Sequence, residues 1–93
     1  MSIEDKIIKM AEFFGYRVED IVGRNANRKV SMARNYIFYV LHTNCGMSAN
    51  AIARKFNRQC RHIFRQNAVT KYQVENFNDS KEIYAKLQLL ISE

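Results

Sequence analysis

Apolar positions recur along this chain at intervals of three and four residues rather than two, the spacing that gathers side chains on one face of a helix. Ile3, Ile7, Met10, Ala11 and Phe14 form the first such stripe, preceded by Ser2 and Asp5 at capping-box spacing. This predicts a helix from Ile3 to about Phe14, stopped by Gly15 in the left-handed conformation. Val18 to Val22, before Gly23, reads as a short helical turn, and Arg24 to Lys29 as a basic, polar loop. Val30, Ala33, Ile37, Val40 and Leu41 make the next stripe, on a helix ending near Gly46, with Phe38 and Tyr39 widening its buried face.

Ser48 is placed to cap a short helix whose inward residues are Ile52, Ala53 and Phe56, and Asn57 to Gln59 supply a turn. The helix expected from near Gln59 carries Cys60, Ile63, Phe64 and Val69 as its apolar positions. Asn76 to Ser80 interrupt the pattern, and Asp79 with Glu82 forms a second acidic capping arrangement. The last helix aligns Ile83, Leu87, Leu90 and Ile91. With no proline and three glycines there are few strand-turn signals, so the expected fold is all-α: one bundle of about six helices spanning residues 1–93.

Hydrophobic residues at 47% supply enough apolar surface for a core, and no apolar run is long enough to cross a bilayer. The opening Met1-Ser2-Ile3-Glu4-Asp5 lacks the basic and apolar regions of a secretory signal, so a cytoplasmic location and no membrane partner are expected. Cys45 and Cys60 are too few for a disulfide framework and read as small, mostly buried thiols.

Charge alters this picture more than composition does. The chain carries +6, but between Asp20 and Glu75 there are ten cations and no acid, while the flanks hold five cations against nine acids. A solvated helical surface normally mixes signs, so a one-sided +10 segment costs stability unless a polyanion compensates it.

Within that segment Ala53, Asn57 and Ile63 have helix-turn-helix spacing: a small residue where two helices cross, a turn-tolerant residue four later, and an apolar plug six beyond. The second helix of such a unit offers its first turns to base edges. Here the candidate readers are Gln59, Arg61, His62, Arg65 and Gln66, with arginine able to pair with guanine and glutamine with adenine. Candidates for backbone or minor-groove contact are Arg24, Arg28, Lys29, Arg34, Ser48, Asn50 and Arg58.

Beyond these residue patterns, the chain from Ile3 to about Ile91 resembles the C-terminal origin-binding domain of the bacterial replication initiator DnaA, which groups with Trp-repressor-like helix-turn-helix domains. The resemblance rests on Met10-Ala11-Glu12-Phe13-Phe14, Val18 to Val22, Arg28 to Arg34, and Ser48 to Ala53 with Phe56; the spacing from Arg34 to Phe56 matches without a gap. It implies duplex DNA as the partner, a role in replication initiation, and a minor-groove arginine in the loop before the long helix, a role falling to Arg28 with Arg24 and Lys29 beside it. The family's Gly-Gly-Arg-Asp-His-Thr-Thr-Val is here Asn57 to Ile63, one residue shorter, with Gln59, Cys60, Arg61 and His62 at the readers. A changed target site follows from that departure. The chain has no Gly-x-x-x-x-Gly-Lys-Ser/Thr loop, so nucleotide-driven melting cannot reside in these residues; a stand-alone module of a phage or mobile element in a bacterial cytoplasm fits the pattern.

Other chemistries fit less well. His42-x-x-Cys45 and Cys60-x-His62 contain zinc-ligand types, but residues two apart on a helix point to different faces, and no metal or other cofactor is expected. Cys60 beside Arg61 has no placed base, so no enzyme is expected. The alternatives are an RNA or single-strand binder stacking bases on Tyr16 and Tyr72, and a helical adaptor for an acidic protein.

Overall fold

In the computed structural model, which describes residues 1–23 and 27–92, every residue from Tyr36 to Leu41 is buried, a run sustained only by a helix covered on all sides. That helix is α3 (Arg28–Thr43), and around it lie α1 (Ile3–Phe13), α2 (Val18–Val22), α4 (Ala49–Phe56), α5 (Cys60–Asn76) and α6 (Asn78–Ile91). α3 packs against each of the other five, α4 against α5, and α1 and α5 against α6. The core runs from Met10 and Ile21 through Phe38, which meets Phe56 edge-on at 4.8 Å between ring centroids, to Ile63 and Leu87. The described residues form an all-α bundle, as the periodicity predicts.

Helix ends follow local chemistry. Ser2 Oγ accepts from the Asp5 amide at 3.1 Å, and α1 stops where Gly15, at φ +82°, lets the Tyr16 amide reach back to the Ala11 carbonyl. Ser48 Oγ caps α4 by accepting from the Ala51 amide at 3.1 Å. At the other end of α4, Asn57 takes the left-handed conformation (φ +53°, ψ +52°), and the Arg58 amide bonds the Ala53 carbonyl at 2.8 Å. Asparagine here does what glycine does in most such stops, since its short polar side chain tolerates this region. With Ala53 and Ile63 both buried, the crossing residue, turn and plug stand where their spacing places them.

Four expectations are corrected. The expected basic loop ends earlier than Lys29, because Asn27 Oδ1 accepts from the Lys29 amide and α3 begins at Arg28, while Arg24, Asn25 and Ala26 lie outside the described residues. The break between α5 and α6 is the single extended residue Phe77, so Asp79 lies inside the first turn of α6 and serves its helix dipole rather than capping it. α5 turns Ile63, Asn67, Thr70 and Val74 inward, leaving Phe64 and Val69 exposed. Thr70 can occupy the interior because its hydroxyl donates to the Gln66 carbonyl at 3.0 Å. Cys45 and Cys60 are half-buried rather than mostly buried.

Asn67 is only 8% exposed, and its Oδ1 is buried without a hydrogen-bond partner. An unpaired buried acceptor costs about 1–3 kcal/mol in lost hydration, which an apolar side chain of similar size does not incur. Asn67→Leu is therefore expected to raise stability by about 1 kcal/mol in urea denaturation; a loss of stability would show that the amide contributes a native contact of its own.

Candidate nucleic-acid interface

The first turns of the six helices fall into two groups. α1, α2 and α6 begin with carboxylates (Glu4 and Asp5; Glu19 and Asp20; Asp79), the usual complement to the positive end of a helix dipole. α3, α4 and α5 have no acid in their first turns. Asn27 and Ser48 cap one amide each at the starts of α3 and α4, and phosphate is the anion that helix N-termini commonly hold at their other leading N–H groups. The same three helices carry the acid-free segment of the sequence.

Surface depressions join two of these starts and border the third. One is lined by Asn57, Arg58, Gln59 and His62, and its neighbour by Asn50, Arg54, Asn57, Arg58 and Cys60, which makes the beginnings of α4 and α5 one continuous rim. A third depression has Arg28, Ser31 and Asn35 of α3 on one wall and Gln66, Val69 and Gln73 of α5 on the other. Arg28, in the first turn of α3, therefore shares a surface with the middle of α5. Arg54 and Asn57 were not among the sequence candidates. Arg54 was discernible only as one more cation in the basic segment.

Among the base-reading candidates, Gln59, Arg61, His62 and Arg65 are exposed. Gln59 occupies the cap position of α5 without a side-chain capping bond, and Arg61 and Arg65 stand one turn apart on the outer face. Gln66 is half-buried, and its Oε1 accepts from Asn35 Nδ2 at 3.2 Å. Bidentate pairing of this amide with adenine would first break that bond, which leaves Gln59 the better placed glutamine. Arg28, Lys29 and Asn50 are exposed; Ser48 is exposed with its oxygen engaged at the start of α4; Arg24 lies outside the described residues.

Arg34 is a correction. It is only 7% exposed, and its guanidinium turns inward: Nε donates to the Ile21 carbonyl at 2.7 Å, and Nη2 to the carbonyls of Asp20 and Gly23 at 3.1 and 2.9 Å. These are backbone groups at the end of α2, where a helix leaves carbonyls without partners. Burial, and then the charge of Arg58, hold its pKa below the usual guanidinium value. Arg34 is thus an internal strut and not a phosphate contact. Arg58 is half committed in the same way, donating to the Gly23 carbonyl at 2.6 Å and the Phe56 carbonyl at 3.3 Å. Lys55 pairs with Glu4 of α1 at 2.7 Å, and this hydrogen-bonded contact holds the Glu4 carboxyl below its usual range. The remaining described cations of the basic segment, Arg28, Lys29, Arg54, Arg61, Arg65 and Lys71, are exposed.

A model of the bacterial DnaA protein helix-turn-helix matches residues 4–63. The chain belongs to this DnaA C-terminal helix-turn-helix family. The matched stretch takes in all but the first residue of α1, then α2 to α4, and the first turn of α5, ending at the core plug Ile63. It is narrower than the resemblance read from sequence, since the rest of α5 and all of α6 lie beyond it. No curated protein matches the chain. Membership makes this a domain of a DNA-binding family, and among the described residues no helix is long and apolar enough to cross a membrane.

If Arg34 is a strut, Arg34→Met should keep most of the packing while taking the guanidinium donor from the Asp20 and Ile21 carbonyls and leaving the Gly23 carbonyl to Arg58. A loss of about 2–4 kcal/mol in chemical denaturation is expected, and Arg34→Lys should recover less than half because one ammonium cannot span the three acceptors. A loss below about 1 kcal/mol would mean that these carbonyls find other donors.

Proposed function

We propose that this domain is a sequence-selective module for duplex DNA, with the first turns of α5 entering a major groove and the first turn of α3 meeting the adjacent backbone or minor groove. What carries the reading is the conjunction of three acid-free helix starts with exposed cations, those of α4 and α5 on one rim and that of α3 beside the middle of α5, in a chain of the DnaA helix-turn-helix family. The longest dimension of 30 Å would cover about nine base pairs at 3.4 Å per step. Phosphate contacts are assigned to Arg28, Lys29, Arg54 and the N–H groups at the starts of α4 and α5, and base contacts to Gln59, Arg61, His62 and Arg65. Neither a catalytic role nor a nucleotide-driven step is assigned to these residues, and a location with bacterial DNA follows from the partner.

The target is expected to differ from the DnaA box. An amide, a thiol, a guanidinium and an imidazole at Gln59, Cys60, Arg61 and His62 stand where the family pattern places a carboxylate, an imidazole and two small hydroxyls. Each altered bidentate contact is worth on the order of 1–3 kcal/mol of discrimination, so two or three suffice to abolish a preference while phosphate affinity persists.

Two measurements test this reading. With the three assigned cations, Arg28, Lys29 and Arg54, at phosphates, log affinity for duplex DNA should fall with log salt at a slope of about −3. A flat response, or tighter binding to RNA or single strands in competition, would overturn it. Selection from a random duplex pool should yield a site with a guanine that Arg61→Ala no longer requires, and Arg61→Ala should cost more at that position than in affinity for unrelated duplexes. A preference of about a hundredfold or more for the DnaA box over a scrambled duplex would instead place intact family readout in this chain.

A further inference from the structure

Phe64, Ala68 and Tyr72 succeed one another at intervals of four on α5, so they form one stripe along the helix, and all three are exposed, Phe64 at 72% and Tyr72 at 60%. The ring of Phe77 meets Tyr72 edge-on at 6.1 Å and limits its movement. Burial of the opposite face (Ile63, Asn67, Thr70, Val74) turns this stripe to solvent. An exposed aromatic stripe on a small domain marks a contact surface.

The stripe is self-complementary under reversal. Phe64 and Tyr72 each lie four residues from Ala68, on opposite sides. Arg61 and Glu75 each lie seven from it, again on opposite sides, and both are exposed. When two copies of α5 are laid antiparallel about a twofold axis at Ala68, Phe64 of each meets Tyr72 of the other, and Arg61 of each meets the other's Glu75. Ala68 at the axis lets the backbones approach closely. Arg65 and Lys71, the remaining pair equidistant from Ala68, lie on opposite flanks of the stripe and so do not face each other.

We propose that this face of α5 binds a second copy of the same chain as an antiparallel, twofold-symmetric pair. A partner of another kind has no reason to match a surface whose two halves complement each other, whereas an isologous dimer requires that property. One helix face about 25 Å long buries an area at the low end of specific interfaces, so the dimer is weak and forms at high micromolar concentration. Arg61 is assigned above to a base, so this dimer and the DNA complex compete for that side chain, and the dimer is tested on the protein without nucleic acid.

Sedimentation equilibrium of the full chain, without nucleic acid, up to about 1 mM tests this. The expected result is a monomer–dimer equilibrium that Phe64→Asp and Ala68→Arg each weaken by about tenfold or more, both sites being exposed and the fold checked by circular dichroism. Arg61→Glu and Glu75→Arg should each weaken it, and the double variant, with both charges exchanged, should restore it to within about threefold of wild type. A protein that stays monomeric throughout overturns the proposal, as does a double variant no stronger than its parents. Indifference to Phe64→Asp overturns it too. So does a monomer that instead binds a single-stranded oligonucleotide through Phe64 and Tyr72, for the stripe would then be a base-stacking surface.

Discussion

Two arginines donating to one carbonyl oxygen set the geometry on which the rest of this domain depends. The Gly23 oxygen accepts from Arg34 of α3 at 2.9 Å and from Arg58 of the helix-turn-helix turn at 2.6 Å. Three segments distant in sequence, the end of α2, the middle of α3 and the start of the recognition unit, are therefore fixed to a common point. Like charges do not gather without compensation, and backbone dipoles at the end of α2 contribute it here. Glycine is demanded at the junction, since a Cβ on Gly23 would sit 2.9 Å from the Glu19 carbonyl oxygen. The chain passes from this junction towards Arg28, the first residue of α3, and α5 starts two residues after Arg58. The two proposed DNA-contacting elements thus take their relative position from one hydrogen-bonded knot.

Sequence revealed most where one residue type has one physical use. Serine before an apolar run caps a helix, and Ser2 and Ser48 do. A small residue, a turn former and an apolar plug at fixed spacing make a helix-turn-helix, and Ala53, Asn57 and Ile63 do. Sequence misled where a residue type has two uses. A guanidinium ordinarily reads as surface charge, and nothing near Arg34 in the chain shows that carbonyls 11 to 14 residues away will surround it. On α5 the apolar residues do not define the inward face, because polar Asn67 and Thr70 share it with Ile63 and Val74. A reading by hydrophobicity alone took Phe64 and Val69 for core and so missed the most exposed aromatic of that helix. The candidate site was legible as a region and less so residue by residue: of its basic members, Arg34 and Arg58 spend donors inside the protein while Arg28, Lys29, Arg61 and Arg65 stand outside.

The charge distribution has a structural counterpart that total charge conceals. Carboxylates sit at the starts of α1, α2 and α6, where each gains from a helix dipole, and are withheld from α3, α4 and α5. Each omission forgoes about 0.3–1 kcal/mol of stabilisation. A domain of this size has little stability to spare, so a forfeited interaction at three helices in succession is better explained by an anionic ligand than by chance. That ligand would supply in the complex what the sequence omits in the free protein, which couples stability to DNA binding.

The turn, which the sequence resemblance reads as one residue shorter than the family pattern, illustrates how scaffold and readers separate. Losing a residue between two helices would ordinarily rotate the second by about 100° and bury the wrong face. Here Asn57 adopts the left-handed conformation that closes α4, the Arg58 amide returns to the Ala53 carbonyl, and Ile63 still reaches the core. The Arg58 side chain adds a third restraint by bonding Gly23. With plug, backbone stop and guanidinium all specifying the same orientation, the exposed positions Gln59, Arg61 and His62 carry none of the burden of folding. Side chains free of that burden can be exchanged at little cost in stability, so readout can change at these positions while the plug at Ile63 keeps the scaffold in place.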